Sequence, residues 1–271
     1  WSVEHREAFW EQLWQFADVR ASQPYEAVLH EGERFPGSQW FPGSRLNFAE
    51  NLLRRRDDKT ALVALREDGQ RRTLSYAELF EQVALLAAAM RQRGVVAGDR
   101  VAGFMPNTLE TVVAMLAASS LGAIWSSCSP DFGLSGVLDR FRQIRPKLLL
   151  AADGYRYNGK AIDTLERVEA IAAQLDSLEA VVVVPFLTGE AADLQNIDKA
   201  VCYRRFTAES APTDAVSAMA FAPLPFDHPL YIMYSSGTTG VPKCIVHGAG
   251  GTLLQHLKEH RLHCDLRSGD R

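Results

Sequence analysis

The chain has 271 residues, 47% hydrophobic and 23% charged, with a formal net charge of −4. That balance suits a globular chain able to bury about three quarters of its unfolded surface, and it argues against non-specific nucleic-acid binding, which basic surface drives. No apolar run reaches the ~18 residues of a membrane span. The four cysteines, Cys128, Cys202, Cys244 and Cys264, form no CxxC pair, which fits a reducing, cytoplasmic setting.

Taken in order, Trp1 to Val19 places Val3, Phe9, Leu13 and Phe16 at near-helical spacing and predicts a peripheral amphipathic helix. Residues 32–47, rich in glycine, proline and aromatics, read as an extended packing segment. The basic run Arg54-Arg55-Arg56 is followed at once by Asp57 and Asp58 and reads as a solvated helix end. From Thr60 the pattern alternates. Thr60–Leu65 is a strand, residues 67–69 a turn, and Ser75 with Glu78 a capping box opening a helix that buries Leu79, Val83, Leu86 and Met90 and stops at Gly94. Asp99–Met105 is a strand whose Asp99-Arg100 start reads as a structural pair, and Thr108–Leu121 a helix ended by Gly122. Ala123–Cys128 is a strand, Leu134–Ile144 a helix, Lys147–Ala152 a strand, Ala161–Leu175 a helix and Ala180–Phe186 a strand. Residues 187–225 read as an irregular surface connection that delivers the chain to a last strand, PLYIMY.

Alternation of helices with uniformly apolar strands predicts an α/β fold with a parallel sheet covered on both faces. Ligands of such sheets sit beyond the carboxyl ends of the strands. Residues 1–59 are expected to form a helical and extended packing segment, and 60–271 the α/β portion. The chain opens at WSVEH without methionine and stops after LRSGDR, at Arg271, so a fragment of a longer protein is expected.

The stretch YIMYSSGTTGVPKCIVHG, Tyr231 to Gly248, carries the chemistry. Glycines permit the positive φ that turns successive amides inward, and such a nest binds an anion. Ser235, Ser236, Thr238 and Thr239 add hydroxyl donors around Gly237 and Gly240, and Lys243 adds charge. Each hydrogen bond to a charged partner contributes about 1.5–3 kcal/mol, so a polyphosphate is the implied ligand. This is not the Walker loop. Lys243 comes three residues after Gly240, Cys244 stands where a hydroxyl residue would be, and KCIVHG is β-rich, so no helix N-terminus follows to share the phosphates.

Tyr234 to Lys243 resembles the phosphate-loop signature of the adenylate-forming enzymes: acyl-CoA synthetases, luciferases and the adenylation domains of peptide synthetases. LSYAEL (74–79) and LAASSLGAIW (116–125) are similar to further segments of that family. Within it, WFPGSRLNFAENLL, SSCSPDFG and KCIVHGAGGTLLQHLKEH resemble the acetoacetyl-CoA synthetase branch. The resemblance implies parallel-rich sheets layered with helices, as in the N-terminal part of the family's large domain. It also implies two half-reactions on small-molecule substrates, acetoacetate, ATP and coenzyme A, with Mg²⁺ as counter-ion and with neither nucleic acid nor membrane as partner. Ser235, Ser236, Gly237, Thr238, Thr239, Gly240 and Lys243 would hold the phosphates. ADGYRYNGK (152–160) resembles the segment that meets the nucleotide end of coenzyme A, making Arg156 and Lys160 its candidates; Lys160 is offset by one residue from the related acetyl-CoA pattern. The resemblance puts the family's adenine- and ribose-binding groups, hinge and catalytic lysine downstream of this loop, beyond Arg271, so no catalytic residue is assigned within the chain.

Two alternatives stay open: activation of another short acid such as acetate or propionate, and a nucleotide-binding module that turns nothing over. His256, His260 and His263 with Cys264 fall near one helical face, but Leu253, Leu254 and Leu257 make an ordinary amphipathic helix the simpler reading. His247 as a general base and Cys128 or Cys244 as nucleophiles lack a visible partner.

Overall fold

The computed structural model describes residues 1–189, 192–210, 214–235 and 240–270. Helix α1 (Arg6–Phe16) leads into short strands β1 (Ala21–Gln23), β2 (Leu29–His30), β3 (Gln39–Trp40) and β4 (Arg45–Leu46), and then into α2 (Phe48–Leu52). Strands β5 (Thr60–Leu65) and β6 (Arg71–Ser75) form a separate antiparallel hairpin before α3 (Tyr76–Gln92). The alternating core follows: β7 (Arg100–Phe104), α4 (Leu109–Ser120), β8 (Ile124–Cys128), α5 (Leu134–Ile144) and β9 (Leu148–Ala152). A second hairpin, β10 (Gly154–Tyr157) with β11 (Lys160–Asp163), precedes α6 (Leu165–Ala172), β12 (Ala180–Val184), β13 (Ala200–Cys202) and α7 (Tyr203–Ser210). The chain closes with β14 (Leu224–Pro225), β15 (Pro229–Ser235), β16 (Lys243–Gly248), α8 (Ala249–Lys258) and one π turn, Glu259–His263.

The principal sheet has seven strands in the order β13-β12-β9-β7-β8-β15-β16. Pairings from β13 through β15 are parallel, and β16 returns antiparallel along the edge. Every residue of β9 and β12 is buried, as a strand covered on both faces requires. Successive side chains leave opposite faces, and the two cores divide accordingly. Leu148, Leu150 and Val182 pack with α3, α4 and Phe206 of α7; Leu149, Val181 and Val183 pack with Val137, Phe141, Val168 and Ile171 of α5 and α6.

The capping box of α3 forms as the sequence predicts. The Ser75 hydroxyl accepts from the Glu78 amide at 3.1 Å, and the Glu78 carboxylate accepts from the Ser75 amide at 2.7 Å. Gly122 ends α4 at φ +77, where a Cβ would also run into Leu224 and Ala97.

Five expectations need correction. Residues 60–65 form a strand but do not join the parallel sheet, because the turn at 67–69 folds them onto β6 first. The helix expected over 161–175 is shorter, since residues 160–163 pair with β10 and Leu165 starts α6. The stretch 187–225 is not wholly irregular: it carries β13 and α7, with Phe206 of α7 buried beneath the sheet. Asp99 and Arg100 do not pair with each other. Asp99 meets Lys147 at 3.3 Å, while the Arg100 guanidinium donates to the carbonyls of Gly98, Ile144 and Arg145. In α1, Leu13 and Trp14 are buried, whereas Phe16 stays exposed, as does Val3 ahead of the helix. The packed face is set by an aromatic cluster in which Trp14 stacks on Phe41 at 4.7 Å and Phe41 meets Tyr25 and Phe226 at 5.1 and 5.0 Å.

That cluster joins α1 to α8 through Leu253 and Leu254. Beside it, Asn47 is 1% exposed and ties distant chain together. Its amide nitrogen donates toward the carbonyls of Ser119, Ser120 and Ala222 at 3.2, 3.1 and 3.0 Å, and its oxygen caps α2 by accepting from the Glu50 amide. Asn47→Ala is expected to destabilise the chain by about 2–3 kcal/mol, because buried carbonyls lose their donor. Asn47→Asp is expected to cost at least as much, since a carboxylate would face those oxygens. Urea unfolding midpoints at unchanged slope measure both.

Candidate functional site

In this sheet the chain passes from β7 to β8 on one side and then crosses to β9 on the other, so the strand order reverses between β7 and β9. Such a switch point leaves a crevice at the strands' carboxyl ends. A cavity of about 1330 Å³ opens there. Its walls are residues 105–111 after β7, 127–131 after β8, 155–157 of β10, 184–189 after β12, part of α7, and the β5–β6 hairpin. The volume exceeds the roughly 300–1,000 Å³ of pockets for drug-sized ligands.

One buried carboxylate shapes the far wall. Asp153, 1% exposed, accepts from the amides of Phe186 and Leu187 at 2.7 and 2.8 Å on one oxygen. The other oxygen accepts from the amide and hydroxyl of Thr188 at 3.2 and 3.0 Å. Bonds to an ionised acceptor are the strong ones, and these four curl the chain after β12 around the cavity.

The two hairpins are clasped together across it. Asp68 lies 2.9 Å from Arg66 and 3.0 Å from Arg156. Glu67 accepts from the amides of Asn158 and Gly159 at 3.1 Å each. The structure therefore separates the two residues singled out for the coenzyme. Arg156 lines the cavity, already in contact with Asp68. Lys160 stands opposite Tyr157 at the start of β11, exposed and outside the lining.

Sequence reading missed Arg72, Glu110, Tyr203 and Arg204, all of which line the same cavity. The Arg72 guanidinium donates to the Glu110 carboxylate at 2.6 Å, and Glu110 is 7% exposed in the first turn of α4. Burial pushes the Tyr203 phenol above its ordinary value, Glu110 adds to that rise and Arg72 opposes it. The basic residues Arg66, Arg71 and Arg72, flanking the turn read at 67–69, were the available signal.

The glycine loop joins β15 to β16 at the same edge of the sheet, with Ser235 directly opposite Lys243. Ser236, Gly237, Thr238 and Thr239 lie outside the described residues. So does Arg271, the position beyond which the catalytic lysine is expected. Gly240 has φ +94, a left-handed conformation that favours glycine. Lys243 is exposed and makes no ion pair among the described residues. Both roots of the loop are fixed. On the incoming side the Ser126 hydroxyl of β8 donates to the Ile232 carbonyl at 2.7 Å and sits 3.0 Å from the Tyr234 hydroxyl, whose phenol burial pushes up. On the outgoing side Gln143 of α5 donates to the Pro242 carbonyl at 2.8 Å and meets the Cys244 thiol at 3.5 Å.

A scan against protein-family models matches residues 48–270 to the AMP-binding enzymes. The chain belongs to that family. Residues 1–52 match the model described as the acetyl-coenzyme A synthetase N-terminus. Over its whole length the chain is 50% identical to an acetoacetyl-coenzyme A synthetase of Rhizobium meliloti, covering 41% of that protein. It is also 43% identical to a malonamoyl-CoA synthetase of Penicillium aethiopicum, covering 39%. Among solved structures, an acetoacetyl-CoA synthetase from Streptomyces lividans superimposes with a TM-score of 0.91 at 45% identity, over all of this chain and 41% of that one. The chain thus spans about two fifths of the length of the curated relatives it matches. In this member of the AMP-binding family no helix among the described residues is long and apolar enough to cross a membrane. No group of three or more His, Cys, Asp or Glu residues among them is placed to hold a metal ion.

All four cysteines are free, and they differ in reach. Burial pushes the Cys128 thiol up to about 12, with only Arg140 opposing. Because the pKa is raised, this thiol stays protonated and unreactive until the pH approaches that value. Iodoacetamide at pH 8 is expected to modify exposed Cys244 and Cys264 while leaving Cys128 intact in the folded chain. Peptide mass mapping reads the outcome, and labelling of Cys128 at the rate of Cys264 would contradict it.

Proposed function

We propose that the protein is an ATP-dependent acid–thiol ligase that activates acetoacetate to acetoacetyl-CoA through an acyl-adenylate. The observation that carries this reading is the hairpin β15–β16. In a member of the AMP-binding family, it holds a loop of hydroxyls, glycines and one lysine, unpaired among the described residues, at the carboxyl edge of the sheet, with both roots anchored. The acetoacetyl-CoA synthetases that the chain resembles support the choice of acid.

The chemistry asks little acid–base work of the first step, because a carboxylate is already ionised at neutral pH. Its oxygen attacks the α-phosphorus of ATP and the bond to pyrophosphate breaks. The thiol sulfur of coenzyme A then attacks the acyl carbon, the thiol proton is lost and AMP departs. What the first step needs is charge neutralised on the leaving pyrophosphate and an in-line approach. In this reading Ser235, Ser236, Gly237, Thr238, Thr239 and Gly240 supply hydroxyl and amide donors, and Lys243 its ammonium, to the β- and γ-phosphates. Mg²⁺ enters as the counter-ion of ATP and shares the neutralisation. Coenzyme A takes the cavity beside the loop, with Arg156 on its wall; the place of Lys160 outside the lining leaves that residue without support.

A second substrate follows from one relative. Acetoacetyl and malonamoyl groups both carry a carbonyl β to the activated carbon and differ in a methyl against an amino group, so malonamate belongs in the same comparison.

Carboxylate-dependent exchange of labelled pyrophosphate into ATP tests the reading. The 271-residue chain alone is expected to show none. A chain extended past Arg271 to the length of its relatives is expected to exchange with acetoacetate, more weakly with malonamate and least with acetate. Exchange driven mainly by acetate would overturn the choice of acid. In the extended chain Lys243→Ala is expected to weaken ATP use tenfold or more, the loss of one charge-assisted contact. Unchanged kinetics would remove the lysine from its role.

A further inference from the structure

The ladder between β15 and β16 ends at the pair Ser235 and Lys243. Pro242 stands just outside it and has no backbone N–H to offer. β16 is also the edge strand, so among the described residues no further strand supports it from the other side. Sheet bonds therefore stop short of the residue that precedes Lys243. The Gln143 carboxamide takes over there. Its nitrogen donates to the Pro242 carbonyl at 2.8 Å, and its oxygen accepts from the Cys244 thiol at 3.5 Å. The residues on either side of Lys243 are thus tied to one side chain of α5. The same nitrogen donates to the Asp139 carbonyl at 2.6 Å, one turn back along the helix. Both amide hydrogens face carbonyl oxygens, so a carboxamide turned end for end would set its own oxygen against two acceptors.

Helix α5 is a firm base for that reach. Val137, Leu138, Phe141 and Ile144 bury one side of it against the sheet. Arg140 stands three positions before Gln143, on the same helical face. Its guanidinium lies 5.7 Å from the centre of the Tyr234 ring, and Tyr234 faces Cys244 across the ladder. One face of α5 therefore meets both limbs of the hairpin. Lys243 itself is exposed and makes no ion pair among the described residues. A lysine ammonium rides on a flexible four-carbon stem, so only its backbone can be held in advance of a ligand. Holding it lowers the ordering cost when an anion binds.

We propose that Gln143 is the positioning residue for Lys243. It touches no substrate. It sets the affinity for the phosphates of ATP by fixing the backbone on both sides of the lysine. The proposal rests on reading Lys243 as a phosphate ligand.

Two variants test it. Gln143→Met keeps the length and bulk of the side chain and removes its amide. Gln143→Glu keeps an acceptor for the thiol but turns a carboxylate toward the Pro242 carbonyl. Trypsin cuts after Lys243 and reads the position of that limb in the 271-residue chain with no ligand present. Cleavage there is expected to be about three- to tenfold faster in both variants, the effect of losing an ordinary hydrogen bond. Cleavage after Arg34, between β2 and β3, is expected to stay unchanged, a check that the variants fold. In the chain extended past Arg271, pyrophosphate exchange is expected to show a KM for ATP raised by a similar factor, with the maximal rate and the KM for acetoacetate unmoved. Unchanged cleavage after Lys243 would overturn the proposal whatever the ligand. Faster cleavage after Lys243 and Arg34 alike, or an equal rise in KM for ATP and acetoacetate, would make Gln143 merely structural and overturn it as well. So would faster cleavage after Lys243 alone with an unmoved KM for ATP. Faster cleavage after Lys243 alone, together with an unmodified extended chain that exchanges no pyrophosphate, would keep Gln143 as the residue that holds Lys243 and sink the ligase reading.

Discussion

The inner strands of the parallel sheet, covered on both faces, leave little but their ends in contact with water. Every residue of β9 and β12 is buried, and successive side chains are committed to one helical layer or the other. Polar chemistry has no place in the middle of such a sheet, where an unpartnered polar group would cost more than any function recovers. It is displaced to the carboxyl ends, and there the structure gathers the cavity, the Asp153 turn and both limbs of the glycine loop. The switch in strand order between β7 and β9 then decides where along that edge the space opens.

How much of this was legible depended on the kind of signal. The alternation of β7, α4, β8, α5 and β9 is written in apolar runs bounded by Gly94, Gly122 and Pro146, and local chemistry agreed with tertiary packing at each step. The cap of α3 was equally clear, because Ser75 and Glu78 satisfy each other within four residues. The two hairpins were harder. Residues 160–163 carry alanine and isoleucine that suit a helix as well as a strand, and only pairing with β10 settles the matter. In α1, spacing named Phe16 and missed Trp14, because rings arriving from Phe41, Tyr25 and Phe226 choose the buried face.

The site divides in the same way. The glycine loop is a contiguous motif and could be read directly. The cavity is built from stretches scattered between residues 64 and 207, and a sequence window sees only one at a time. Arg156 stood out because its neighbours resemble a known segment, while Asp68, which takes up part of its charge, lies 88 positions earlier and meets it only through the clasp of the hairpins. Arg72 and Glu110 are likewise distant in sequence and 2.6 Å apart in space.

Asn47 carries a consequence for the order of events during synthesis. Its amide reaches carbonyls 72, 73 and 175 positions further along the chain, and the aromatic cluster beside it waits for Phe226 and for the leucines of α8. A polypeptide leaving the ribosome amino end first can bring Trp14, Tyr25 and Phe41 together early, but it leaves the side of that cluster facing Phe226 and α8 uncovered until those residues exist. Contacts of such long range are slow to form, and apolar segments left waiting are exposed to misassembly. The first fifty residues are made first and complete their packing only when α8 arrives.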